Sequence, residues 1–134
     1  MQNLILSFTM GKKETLLEDL KEKIKNFVRE RDWEKYHSPK NLSMAIAIEA
    51  AELMEHFQWI SEKESEKLLK NPEKRQEIEE ELADIAIYIL DFCNLFDIDF
   101  EKIVEKKLKK SAEKYPVNLV KGKSHKYTHY KKSF

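Results

Sequence analysis

The chain has 134 residues, with 25 Lys and Arg balancing 25 Asp and Glu, one cysteine and two glycines, a size that suits a single domain. The glycines are Gly11 and Gly122, so the sequence between them holds no glycine-rich phosphate cradle and no dinucleotide-binding turn, and any phosphate must be held by side chains or metal ions. No apolar run approaches the ~20 residues that span a bilayer, the N-terminal segment lacks the basic flank of a signal peptide, and the lone Cys93 has no disulfide partner within the chain; a soluble, cytoplasmic protein is expected.

The pattern is helical almost throughout. Thr15 and Glu18 have the spacing of a capping box, and Leu16, Leu17, Leu20, Ile24, Phe27 and Val28 then recur every three or four residues, which predicts a first amphipathic helix ending near Arg31. Residues 31–37 form a charged, aromatic connecting loop. Ser38-Pro39 is a cap followed by proline at the first helical position, opening a second helix that runs to about Trp59. Ser61 and Glu64 repeat the capping box before a short helix to Lys70. Asn71-Pro72 opens another, reaching about Phe96 with Ile78, Leu82, Ile85, Ile89 and Phe92 on one face. A break at Asp97 or Asp99 precedes a last helix over 100–115, which Pro116 closes.

Residues 1–13 and 117–134 are expected to be irregular extensions of one domain covering 1–134. No strand pattern competes, so the fold class is all-α, a bundle of four to five helices. The second helix leaves no clean polar face: Leu42, Met44, Ala45, Ile46, Ile48, Leu53, Met54 and Phe57 surround it. A helix apolar all round is central or lies in a subunit interface, so a homo-oligomer, dimer or tetramer, is expected to complete the core.

Neutrality hides a segregation of charge. Residues 49–84 hold twelve acids against five bases, whereas residues 102–134 hold eleven lysines against Glu105 and Glu113 alone. Within the apolar second helix, Glu49, Glu52 and Glu55 stand three apart, and in the fourth helix Glu81 and Asp84 repeat the spacing with Tyr88 one turn beyond. Carboxylates are seldom buried unless paired or bound to metal. Converging acids repel one another, and a divalent cation relieves this; all-oxygen donors favour Mg²⁺ or Mn²⁺ over zinc or iron. The di-iron pattern of Glu-x-x-His on two helices is absent, since His56 follows Glu52 by four. The plain alternative is that these acids face solvent and pair with neighbouring lysines. A carboxylate such as Glu52 or Glu55 could take a proton from an attacking water. Trp33, Tyr36, Trp59 and Tyr88 offer flat faces for a base, with core packing as the alternative role. His37 stands just before the Ser38-Pro39 cap, and Lys107 shares the stripe of Phe100, Ile103, Val104 and Leu108, from which it would point inward.

Several blocks occur together: Glu30-Arg31-Asp32-Trp33, His37-x-Pro39-x-Asn41-Leu42, Glu49-x-x-Glu52-Leu53-x-Glu55-x-Phe57-Gln58-Trp59, Glu80-Glu81-Leu82-x-Asp84-x-x-Ile87-Tyr88, Lys114-Tyr115-Pro116 and Lys126-Tyr127-Thr128. From near Phe27 to Thr128 the chain thereby resembles the all-α nucleoside triphosphate pyrophosphohydrolases of the MazG-like superfamily, in particular the dCTP pyrophosphatase branch. The resemblance implies Mg²⁺-dependent hydrolysis of a deoxynucleoside triphosphate, dCTP or a related pyrimidine nucleotide, to the monophosphate and pyrophosphate. It implies Glu49, Glu52, Glu81 and Asp84 as metal ligands, Trp33, Glu34, Lys35, Tyr36, His37, Trp59 and Tyr88 as nucleotide-binding residues, Lys107 at the phosphates, and a tetramer built as two dimers. The chain departs from the pattern at Ser111, where many members have Asn, and at Ile24, where the branch can carry His. The competing expectation is a non-catalytic helical module that binds a partner through the apolar second helix and the basic tail. Nucleic acid and membrane are not expected partners of a neutral chain with an acidic centre.

Overall fold

The computed structural model describes the backbone of residues 2–130 and the side chains of residues 16–130. Among the described residues there are seven α-helices, one 3-10 turn at Glu34–Tyr36 and no strand: α1 (Gln2–Glu30), α2 (Pro39–Glu55), α3 (Glu62–Leu68), α4 (Pro72–Leu95), α5 (Phe100–Lys114), and two single-turn helices, α6 (Val117–Val120) and α7 (Tyr127–Tyr130). None is long and apolar enough to cross a membrane.

The caps sit where the sequence puts them. Ser38 Oγ accepts from the Asn41 amide with Pro39 at the first helical position, Ser61 and Glu64 close a reciprocal capping box, Asn71 Oδ1 accepts from the Glu73 and Lys74 amides, and Asp99 Oδ1 accepts from the Lys102 amide. Each satisfies amides that the first helical turn leaves without an internal partner. The C-terminus of α1 is a Schellman turn, in which Asp32 at φ 52° allows its own amide to reach Arg29 and that of Trp33 to reach Val28. Asp97, also at φ 52°, ends α4, so the expected break uses both aspartates, one to leave a helix and one to start the next.

Two expectations need correction. The first helix does not begin at Thr15: α1 is helical from Gln2, with Thr15 inside it, because the upstream Leu, Ile and Lys residues favour helix and the single Gly11 costs only about 1 kcal/mol. The tail is not wholly irregular either, since Pro116 starts the turn of α6 and Gly122, at φ 74°, reverses the chain before α7.

The chain forms two compact units, Met1–Asp97 and Ile98–Phe134. In the first, α4 packs on both α2 and α1. Both pairs are antiparallel: His37 before α2 meets Asp91 late in α4, His56 after α2 approaches Glu77 and Glu81 early in α4, and Asn94 of α4 donates to the Lys21 carbonyl of α1. The core of this unit is thin, consisting of Ile24, Val28, Leu42, Ile78, Leu90 and Cys93, while Leu20, Met44, Ile48, Met54 and Leu82 remain about half exposed. Cys93 is a buried small side chain whose thiol burial pushes up in pKa. In the second unit, Tyr130 is buried against Tyr115, which also meets Tyr127 edge-on.

Candidate active site

The antiparallel pairing of α2 and α4 brings the acidic positions of the two helices to one level. Glu49, Glu52 and Glu81 each offer a carboxylate oxygen within 4.8 Å of the others. Glu49 and Glu81 are half-buried and Glu52 is exposed. Burial raises the pKa of Glu49, and the neighbouring charges of Glu52, Asp84 and Glu81 push it further the same way. Asp84 stands outside the three-oxygen cluster, although its charge reaches Glu49. Among the described residues, no Lys or Arg pairs with Glu49, Glu52, Glu81 or Asp84. Of the alternative of lysine-paired, solvated acids, the lysine pairing is not observed at these four positions among the described residues, while Glu52 and Asp84 do face solvent. Uncompensated oxygens at this spacing are a donor set that fits a hard divalent cation.

His56 lies beside the cluster, with Nδ1 3.9 Å from Glu77 and Nε2 3.8 Å from Glu81, so it borders the acids. Glu55 is exposed and outside the cluster.

Asp84 also lines a cavity of about 230 Å³, together with Phe27, Val28, Trp33, His37, Ile87, Tyr88 and Asp91. Half of these residues carry aromatic rings. Trp33 stands edge-on to Phe27 with centroids 5.8 Å apart, His37 tilts against Trp33 at 6.3 Å, and His37 meets Tyr88 edge-on at 6.5 Å. The Schellman turn after α1 is what swings Trp33 back over this space. Burial raises the Tyr88 hydroxyl pKa, and the charges of Glu49, Asp84, Asp91 and Glu52 add to it.

His37 is held in the cavity by Asp91, with Nδ1 2.6 Å from the carboxylate Oδ2. Asp91 is 2% exposed. Burial raises its pKa, and the hydrogen bond and charge of His37 oppose this. Sequence reasoning passed over Asp91, although a signal was present: Asp84, Tyr88 and Asp91 follow at intervals of four and three, so one helical face carries all three, and Asp91 interrupts an apolar run.

Other expected residues lie elsewhere. Glu34 pairs with Arg29 at 3.7 Å and Lys35 with Asp32 at 2.6 Å. Tyr36 is exposed, and its carbonyl accepts from Asn41 Nδ2. Trp59 is 86% exposed in the turns after α2 and does not line the cavity. Lys107 belongs to the second unit, on α5. The inward stripe expected there is not observed: Lys107, Ile103, Val104 and Leu108 are all exposed, and α5 buries none of its residues.

The unit is all-helical, with an acidic cluster where two antiparallel helices meet and a cavity lined by Trp33, His37 and Tyr88 beside Asp84, and the profile of a class of proteins, the MazG-like family, matches residues 44–129. The chain belongs to the MazG-like family. It is 37% identical over 115 residues to dCTP pyrophosphatase 1 of Rattus norvegicus and 36% identical over the same length to that of Homo sapiens, in each case covering 86% of this chain and 68% of the relative. A crystal structure of a pyrophosphatase from Archaeoglobus fulgidus has 42% sequence identity and superposes with a TM-score of 0.70, covering 75% of this chain and 92% of the other.

Proposed function

We propose that this chain, a nucleotide pyrophosphohydrolase by its family and relatives, takes dCTP or a related pyrimidine nucleotide, cleaves it to the monophosphate and pyrophosphate, and serves to clear such nucleotides from the cytoplasmic pool. The reading rests on one observation above others: a carboxylate cluster with no Lys or Arg partner among the described residues, beside Asp84, which acts on Glu49 by its charge and lines an aromatic cavity. A triphosphate bears its charge at one end and its flat base at the other, and these two surroundings match its two ends.

Glu49, Glu52 and Glu81, with Asp84 beside them, would hold Mg²⁺, or Mn²⁺ in its place. When bound, such an ion neutralises phosphate charge, aligns the oxygens for in-line displacement and lowers the pKa of a bound water. The chain's own residues supply the remainder. Glu52 or Glu55, three apart on α2, accepts the proton of the attacking water at a carboxylate oxygen. Trp33 and Tyr88 enclose the base, and His37 contributes a ring nitrogen to the same space. Glu34, Lys35, Tyr36, Trp59 and Lys107 are assigned to nucleotide binding from sequence resemblance. The exposed Met44, Ile48 and Met54 of α2 are proposed to be covered by a second copy, giving a homo-oligomer.

The test is pyrophosphate release from dCTP with Mg²⁺, followed for the wild type and for Glu52→Gln and Asp84→Asn. Both variants should fold and lose turnover by about 10²-fold or more. Stepwise release of orthophosphate by the wild type would overturn the proposed reaction.

A further inference from the structure

Among the polar side chains that line the base-side cavity, His37 and Asp91 form a hydrogen-bonded pair. His37 sits at the entrance to α2, where Nδ1 lies 2.6 Å from Oδ2 of Asp91 on the facing helix, 54 residues away in the chain. The aspartate is 2% exposed, and the imidazole is about one-sixth exposed. A carboxylate only accepts, so this contact places the hydrogen on Nδ1. The other ring nitrogen, Nε2, has no hydrogen-bond partner among the described residues, and the ring lines the cavity with Trp33 and Tyr88.

Burying a carboxylate in an apolar helix face is costly unless its partner compensates. Asp91 is flanked by Leu90 and Phe92, and its described side-chain bond goes to His37. A fold indifferent to this histidine would do as well with an apolar residue there. Resting on the reading of the cavity as the base site, we infer that Asp91 is a positioning residue for nucleotide selection, fixing the His37 ring and its Nδ1–H so that Nε2 alone addresses the polar edge of the base. Asp91 forms part of the cavity wall, but it is 2% exposed and its Oδ2 is engaged by His37 Nδ1. Its effect passes through the imidazole, as the outer carboxylate partner of a metal-bound histidine acts through its ring.

Two measurements test this. The imidazole ¹⁵N signals of His37 in the full chain, with and without dCMP as the probe, should show Nδ1 carrying hydrogen throughout and Nε2 alone shifting on addition. A hydrogen-free Nδ1, or an Nε2 signal that ignores dCMP, would overturn the inference without any variant. The second is steady-state turnover of dCTP with Mg²⁺ by Asp91→Asn, His37→Ala and the double variant. Asn preserves the shape of Asp91 but can donate or accept, and so no longer selects one tautomer. Asp91→Asn should raise KM about tenfold and change kcat less than about twofold; in the His37→Ala background the same change should alter KM less than about twofold. An undiminished effect in the absence of His37, or a loss confined to kcat, would show that Asp91 does not act through the imidazole. Lack of pyrophosphate release by the wild type would instead remove the proposed reaction, while the nitrogen signals would still decide whether Asp91 positions His37.

Discussion

Neutralising Glu49 should have opposite effects on the protein with and without divalent cation. In Glu49→Gln the side chain keeps its length and loses a charge that faces Glu52 and Glu81 within 4.8 Å. One such pair costs about 1 kcal/mol in water and about 3.5 kcal/mol at an effective dielectric near 20. Glu52 is exposed and Glu49 half-buried, so a relief of about 1–2 kcal/mol for the two contacts together is a fair figure after solvent screening. No cationic partner is lost, because Glu49 forms no ion pair with Lys or Arg among the described residues. In chelator, the variant should therefore melt roughly 3–8 °C above the wild type. Saturating Mg²⁺ should reverse the order: an ion at 100 times its Kd adds about 2.7 kcal/mol to the wild type, and a site weakened about a hundredfold by loss of one charged ligand forfeits about 2.3 kcal/mol of that, more than the relief gained in chelator. Paired melts in chelator and in Mg²⁺ measure both differences. A Glu49→Gln protein less stable than the wild type in chelator would mean that the carboxylate is favourably partnered, and the argument for a cation site would fall.

The pH dependence follows from the same charges. Glu49 and Asp91 are both raised above their ordinary values of 4.5 and 3.8, so just above those values the folded state binds more protons than the unfolded one, and metal-free stability should fall as pH climbs through that window. Urea midpoints between about pH 4 and 7 check it, and Mg²⁺ should remove the part due to Glu49. Ser61→Ala removes the hydroxyl half of the capping box on α3 and keeps the Ser61 amide's bond to Glu64, and should cost about 1 kcal/mol in a denaturant melt while leaving pyrophosphate release per folded molecule intact. Ile78→Val, at a site 3% exposed between α2 and α4, should cost about 0.5–1.5 kcal/mol by the same melt.

The sequence announced its helices through residues whose chemistry is local. Ser38, Ser61, Asn71 and Asp99 each satisfy amides within three positions of themselves, so no knowledge of the rest of the chain is needed to recognise them. Thr15 shows the limit of that logic. It has the spacing of a cap, but a cap exists only if the preceding residue leaves the helix, and the residues before it continue one. Lys107 shows a second limit, since a stripe of apolar neighbours states which face could be buried and not what would cover it; α5 buries none of its residues.

The candidate site was legible to the extent that it lies on helix faces. Glu49 with Glu52, and Glu81 with Asp84, declare a shared direction by their spacing alone, and the antiparallel pairing of α2 and α4 then makes three of the four meet. Asp91 was missed because its partner, His37, lies 54 residues away and outside any periodic element. No local rule joins a loop histidine to an aspartate within an apolar run. Once the helices pair, the two ends of α4 differ: Glu81 and Asp84 carry charge that no Lys or Arg among the described residues meets, with His56 approaching Glu81 only to 3.8 Å, while Asp91, one turn past Tyr88, is hydrogen-bonded by an imidazole at 2.6 Å. The contrast between them separates two chemical roles along a single helix. On the proposed reading, the buried carboxylate that already has a hydrogen-bonded partner would order the cavity, and the cluster with no Lys or Arg beside it would take a cation from solution.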